Sequence, residues 1–439
     1  MSRFEKTARL GRLSQFIGYL MVLTLVGCGG QALTPVSAPA TATPTHPKPT
    51  ATPMPTTEPT PMIRTLELWL PQDLDPYAAG GGSQVLAQQL SDFSNTYPNL
   101  QVDVVVKKAS GRGGLVDFMR TARDAVPSVL PDLVVLDASD LKTVAGSELI
   151  QPLDDFLAPS VADDQFPFSA AMGKVENQTV GAVLGIDLQH LAYRPALFDS
   201  PPISWTHVIS APGAFLFPAG GYDDQVNDAT LIQYLGAGGK LTDAEGTPSL
   251  DKEVLVDVFD FYSRCITTTV IAPMEVLQAT HVDQTWDRFK GGEGAMTAVR
   301  ASRYWLEADE TMAPAPIPTR TGQPVSMARG WALAIVTEDP DRQDSAMLLV
   351  EWLISPDHNA LWSQAAGYLP GTRSALRLWS VSAQERAVLR NLLEAAMPPP
   401  RPPVLSKVGS PLQQALESVL NGQATPEEAA QSAVESLHR

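Results

Sequence analysis

The segment TLELWLPQDLDPYAAGGGSQVLAQQLSDFSNTYPNLQVDVVV, residues 65–106, decides how the rest of the chain is read. Thr65 to Leu70 is a short apolar strand. After a loop, Leu86, Leu90, Phe93 and Tyr97 recur at i, i+4, i+7 and i+11, one face of a helix that Ser83 can cap and Pro98 ends. Gln101 to Val106 is β-branched and strand-like. Further on, Leu115, Phe118, Met119 and Ala122 share a second helical face, and Asp132 to Leu136 (DLVVL) forms a third strand. The order βαβαβ predicts an α/β fold that opens with a parallel sheet covered by helices on both faces. Ligands of such sheets bind beyond the carboxyl ends of the strands. That geometry singles out the loop PQDLDPYAAGGG after the first strand and Asp137 to Asp140 after the third.

Upstream of this body the chain is of another kind. Arg3, Lys6, Arg9 and Arg12 precede an apolar run from Phe16 to Gly27, and Cys28 follows. Twelve residues of helix cover roughly 18 Å, too short to span a hydrocarbon core of roughly 30 Å, so the run reads as an export signal over residues 1–27. Residues 31–62 hold nine Pro and nine Thr and almost no large apolar side chain. Such a tract cannot bury enough surface to offset its ordering entropy, and residues 28–62 read as a tether.

The 377 residues from Ile63 onward exceed what one core normally organises, so two lobes are expected. The formal charge of −17 becomes about −20 once residues 1–27 are removed, which argues against nucleic acid as a partner. Besides Cys28 the only thiol is Cys265, in FDFYSRCITTTV, so no disulfide framework exists and Cys265 reads as a small buried hydrophobe.

Seven further pieces occur in a distinctive order: FSNTYPNLQVDVVV; PDLVVLDASDLKTVAGSELIQPLDDF; GAVLGIDLQHLAYRPALF followed by SWTHV; TWDRFKGGEGAMTAV; APIPTRTGQPVSMARGWALAIVTEDPDRQDSAMLLVEWLISPDHNALW; GYLPGTRSAL; and ALESVLNGQATPEEAAQSAVESL. The order resembles the extracellular solute-binding proteins of sugar-type ABC importers, the maltodextrin-binding-like family 1. LVGC, with Leu25, Gly27 and Cys28, likewise resembles a bacterial lipobox, which implies a lipid on Cys28 that holds the protein at the outer side of the membrane. The family resemblance implies a type II periplasmic-binding-protein fold with crossing strands between two lobes. Carried onto this chain, lobe 1 comprises residues 63–189 and 331–366, and lobe 2 residues 190–330 and 367–439. The Pro-rich MPPPRPPV at 397–404 becomes a surface connection within lobe 2. After it, Leu412, Ala415, Leu416, Val419 and Leu420 share a helical face, and Thr425-Pro426-Glu427-Glu428 is a helix start.

The implied function is capture of a small solute, a sugar or oligosaccharide, by a monomer whose lobes close around it, and delivery to ABC permease subunits. No cofactor is implied. A sugar needs aromatic platforms for its C–H faces and carboxylates, amides or Arg for its hydroxyls. Residues standing where the family places such groups are Trp331; Arg300, Tyr304 and Trp305; Asp187; Gln72, Asp73, Asp75 and Tyr77; Tyr222, Asp223 and Asp224; and Tyr368 with Arg373. Trp69, Trp205, Trp352 and Trp362 lie on apolar strand or helix faces and are expected in the core.

The chain departs from the family pattern in three places. GAVLGIDLQHLAYRP has no Pro in its turn and carries Tyr193-Arg194 for Tyr-Asn; VRASRYW replaces a glycine-rich piece; and PVLSKVGSPLQQAL has no aromatic residue. A carbohydrate-processing lipoprotein enzyme and a surface scaffold or adhesin are the rival classes. The six His are scattered, with no HExxH and no GxSxG, and Leu241 stands where a phosphate loop needs Ser or Thr. Paired acids such as Asp154-Asp155 are adjacent in sequence, which does not make two facing carboxylates.

Overall fold

The computed structural model describes residues 63–437 apart from 158, 223 and 224. Cys28, its flanking signal and tether, and Asp223-Asp224 therefore lie outside the described residues. The opening segment forms β1 (Arg64–Pro71), α1 (Gly81–Thr96), β2 (Leu100–Lys107), α2 (Leu115–Ala125) and β3 (Leu133–Asp137). β1 runs parallel to both other strands, with Arg64 opposite Leu100 and Leu68 opposite Leu133. Alternation along β1 explains the two covering helices. Leu66, Leu68 and Leu70 pack with Leu86, Leu90 and Phe93 of α1. Trp69 points the other way, into a cluster with Leu115 and Met119 of α2.

Two local expectations are corrected. α1 starts at Gly81, with Gly80 rather than Ser83 at its N-cap. The first turn packs closely, since a Cβ on Gly82 would lie 2.6 Å from the Ala366 Cβ. Phe118 is 42% exposed, not buried with its helix face. Its ring meets the edge of Trp69 at 5.4 Å and lies 4.0 Å from Lys107 Nζ, so it covers the outer end of the sheet.

The remaining elements that frame the site are β4 (Ala182–Tyr193), β5 (Phe215–Leu216), α3 (Asp228–Gly236), α4 (Lys252–Thr267), α5 (Val282–Lys290), β6 (Met296–Arg300), α6 (Ala301–Glu307), β7 (Ala313–Ala315) and β8 (Ser326–Ile335). α7 (Pro340–Ile354), α8 (Pro356–Ala366), α9 (Arg373–Leu378), α10 (Ala383–Glu394), β9 (Ala396–Met397), α11 (Pro402–Leu420) and α12 (Pro426–Ser436) follow. The main sheet has the order β2-β1-β3-β8-β4-β6-β5, with β9 on β8 and β7 on β4. β8 is antiparallel to β3 and to β4, and the sheet is therefore mixed beyond its parallel start.

β4 and β8 are the crossing strands. Ala182 and Leu184 of β4 belong to the core built around β1 and α1. Leu191 and Tyr193, on the same strand, belong to a different core with α4, α11 and α12. One extended strand thus feeds two hydrophobic cores, the arrangement that makes two lobes share a sheet. In the second core Cys265 is fully buried, and burial pushes its thiol up to about 12. The C-terminal signals hold: Leu412, Ala415, Leu416, Val419 and Leu420 are buried, and Thr425 with Glu428 forms a capping box. Pro402 and Pro403 occupy the first turn of α11, where their missing N–H groups cost nothing.

Among the described residues no helix is long and apolar enough to cross a membrane.

Candidate functional site

Register places a row of side chains on one face of the crossing strands. Trp331 of β8 is opposite Asp137 of β3 and Gly185 of β4, and Arg329 is opposite Asp187. Directly opposed residues project from the same face of a sheet, so two carboxylates, a guanidinium and an indole share this floor. Gly185 allows a close approach there, since a Cβ would lie 3.0 Å from both Trp362 Cζ3 and Tyr368 Cβ. Those two rings stack, with centroids 5.8 Å apart and planes 11° from parallel. Burial raises the pKa of the Tyr368 hydroxyl, opposed by a hydrogen bond from Trp331. Arg329 is anchored by Asp228 of α3, its Nη1 2.8 Å from Oδ2.

Beside this floor lies a cavity of about 470 Å³ with two unlike walls. One wall is Asp73, the α1 start from Gly80 to Ser83, Leu86, and Trp362, Ala365, Ala366 and Tyr368 at and after the end of α8. The other is Arg300 at the end of β6 with Ser302, Arg303 and Leu306 of α6. The walls touch at Gly367, whose φ of +76° ends α8 in a left-handed cap and where a Cβ would lie 2.6 Å from Ser302 O.

Both arginines of the wall are held from behind. Arg300 donates from Nε and Nη2 to the two oxygens of Asp283, at 3.1 and 2.5 Å. Arg303 donates from Nη2 to Asp287 at 2.8 Å and to Glu307 at 3.0 Å, with a further bond from its Nε to Glu307. These bonds raise the Arg303 pKa and hold the Glu307 carboxyl down at about 2. The charges of the two guanidiniums are locally matched, while Arg300 Nη1 has no hydrogen bond among the described residues. Such a wall offers oriented N–H donors to neutral hydroxyls without a large uncompensated field.

The candidate residues named from the sequence fall into three groups. Asp73, Arg300 and Tyr368 line the cavity, and Trp331 stands half-buried on the adjoining floor. Gln72 is exposed next to Asp73, and Tyr222 is 58% exposed on its own loop, its ring 5.2 Å from His281. The third group needs correction. Tyr304 is 3% exposed, packed between His190 at 4.9 Å and Trp286 at 5.9 Å, because its position on α6 faces the core and not the cavity. Trp305 is wedged between Tyr304 and Trp379, with centroids 5.1 and 5.7 Å away. Tyr77 is 74% exposed and lines a different groove of about 370 Å³ between α1 and β2, its loop turned by a 2.8 Å bond from the Tyr77 N–H to Asp75. Asp187 sits behind the wall, bonded to Ser302 at 2.7 and 3.0 Å. Apart from this group, Arg373 braces its turn beside GYLPGT, bonded to Glu394 at 2.9 Å and to the backbone of Gln165 at 2.5 Å.

Of the tryptophans expected in the core, Trp69, Trp205 and Trp362 are buried. Trp352 is half-buried and donates to Gln89 O at 3.0 Å. Trp362 is both buried and part of the cavity wall, which its apolar helix pattern did not reveal. Ser302 and Arg303 were also missed. Their signal was the spacing in VRASRYW, where Arg300 and Arg303 fall one turn apart at a strand-to-helix junction. Among the described residues no group of three or more His, Cys, Asp or Glu is placed to hold a metal.

Two lobes sharing crossing strands, with a polar, aromatic-backed cavity beside those strands, define a type II periplasmic binding protein. Solved structures of this fold align along nearly their whole length. Maltose-bound MalE3 of T. maritima is 19% identical, covering 85% of this chain and 99% of its own, with a TM-score of 0.63. The sugar-binding protein MalE of Xanthomonas citri is 20% identical, covering 85% and 98%, at 0.65. An ABC transporter solute-binding protein of Agrobacterium radiobacter in complex with ribitol is 20% identical, covering 86% and 100%, at 0.58. The sequence profile of the bacterial extracellular solute-binding protein family matches residues 91–387, and the chain belongs to that family.

Proposed function

We propose that this protein captures a carbohydrate, a monosaccharide or short oligosaccharide, by closing two lobes around it and hands it to an ABC permease. The observation that carries the reading is the 470 Å³ cavity, in which Arg300, Arg303, Ser302 and Asp73 meet the Trp362–Tyr368 stack. Hydroxyls find donors and acceptors there, and C–H faces find aromatic surface. Neighbours of the same fold are bound to maltose and in complex with ribitol, which supports a polyhydroxylated ligand.

In this reading the lobes comprise residues 63–189 with 331–366 and residues 190–330 with 367–439, hinged on β4 and β8. Cys28 carries a lipid after removal of residues 1–27, and the Pro/Thr tract spaces a monomeric receptor from the membrane. The receptor binds its solute without converting it. Mass spectrometry of membrane-extracted protein tests the anchor: an unmodified Cys28, or an N-terminus elsewhere, removes it. A thermal-shift screen over mono- and oligosaccharides, with polyols, amino acids and peptides as controls, tests the ligand class. Stabilisation by carbohydrates alone, without shorter products after incubation, is the expected result; shorter products would make the protein an enzyme.

A further inference from the structure

Asp187 belongs to the crossing strand β4, yet its carboxylate is engaged with the cavity wall. Oδ1 accepts the Ser302 N–H at 3.0 Å, Oδ2 accepts the Ser302 hydroxyl at 2.7 Å, and Arg300 Nη1 stands 3.9 Å from Oδ2. Its side chain is only 15% exposed. Asp283 of α5 grips the opposite edge of the same guanidinium. Arg300 therefore stands between carboxylates of different elements, hydrogen-bonded to Asp283 on a helix and 3.9 Å from Asp187 on the strand that joins the lobes.

We propose that Asp187 is a positioning residue: it fixes Arg300 and the Ser302 end of α6 to the crossing strand, so that the strand on which the lobes turn also sets the ligand-facing wall. The role rests on the carbohydrate-capture reading for its consequence, but not for the tie itself. Burial raises the Asp187 pKa, whereas the Ser302 bonds and the Arg300 charge pull it down. The charged groups around it are Arg300 and Asp283 on the wall, Arg329 across the strand pair and, through its hydroxyl, Tyr368. Protonation of Asp187 frees Arg300 from one carboxylate, so affinity weakens as pH falls through that ionisation.

The experiment compares wild type with Asp187→Asn and Asp187→Ala in the full chain, using calorimetric titration with maltose, glucose and ribitol between pH 4.5 and 8. Asn keeps an acceptor for the Ser302 N–H but removes the charge that holds Arg300. A purely structural cap predicts that Asn restores wild-type affinity at every pH, and that result overturns the proposal. The expected result is about tenfold weaker binding in Asp187→Asn, with the acid-side loss of affinity seen in wild type abolished. Hydrogen exchange of the ligand-free chain provides the second readout. Faster exchange confined to residues 301–307 in Asp187→Ala supports the tie, and unchanged exchange there overturns it, whether or not maltose, glucose or the polyol ribitol binds. Wild type that binds none of them counts against carbohydrate capture alone.

Discussion

Tyr368 lies parallel to Trp362 at a centroid distance of 5.8 Å, and both pack tightly against the bare Cα of Gly185. Gly185→Ala is expected to cost about 1–3 kcal/mol of stability by overpacking, and to lower affinity by tilting Tyr368. Gly367→Ala is a companion test. It puts a Cβ 2.6 Å from Ser302 O at a φ of +76°, and its strain adds about 1–2 kcal/mol before any clash. Denaturant unfolding of both variants beside calorimetric titration separates the two effects.

Trp331 makes a prediction of the opposite kind. Half-buried on the floor between Asp137 and Gly185, it is expected to contribute more to the ligand than to the fold. Trp331→Ala should weaken carbohydrate binding about tenfold, or about 1.4 kcal/mol, while the melting temperature of the ligand-free protein stays nearly unchanged. Equal affinity in the variant would remove Trp331 from the site.

His190 gives the fold a pH dependence. It is fully buried, its Nδ1–H donates to Leu191 O at 2.9 Å, and Nε2 has no partner among the described residues. Burial pushes its pKa down to about 4 from an ordinary value of 6.5. The unfolded chain takes up this proton between those values and the folded chain does not. Stability from this group is therefore complete above pH 6.5 and lost as pH falls towards 4, about 3 kcal/mol in all. The raised pKa of Asp187 acts in the reverse sense, since its contribution is present at low pH and lost as pH rises. Comparing unfolding curves of wild type and His190→Gln across pH 4–7 isolates the histidine: the variant should show a flatter dependence, and parallel curves would refute it.

Asp132 ties the sheet to α7. Its 3% exposed side chain accepts two bonds from Arg342 at 2.5 Å and the Glu67 N–H at 2.8 Å. Asp132→Ala strips a half-buried guanidinium of its carboxylate, leaving it only the Thr65 carbonyl, and leaves a backbone donor unpaired, so a loss of about 3 kcal/mol is expected in urea unfolding. A loss below about 1 kcal/mol would show that water replaces the carboxylate.

Much of this was legible in one dimension. Apolar patterning located β1, α1, β2, α2 and β3, because a strand covered on both faces shows a short continuous apolar run and a helix covered on one face shows a spacing of 3.6. Asp73 was marked by its loop at the carboxyl end of the first strand, and Arg300 and Tyr368 by the family resemblance, before their meeting place was visible. The orientation of neighbouring residues was not legible. Tyr304 and Arg303 are consecutive on α6, yet one is core and the other cavity wall, and one turn of a short helix with aromatic residues on several sides does not say which face the sheet will cover. The need for glycine at the start of α1 became visible only against Ala365 and Ala366, nearly 300 residues away. Asp187 looked like a ligand contact because it precedes a crossing, and became a tether for the wall because Ser302 is folded against it. The sequence by itself determined the elements, their order and the chemistry available, since these follow from local spacing and side-chain type. Which polar groups face the solute, and which are consumed holding others in place, was decided only by tertiary structure, because that depends on distances between segments the chain brings together from far apart.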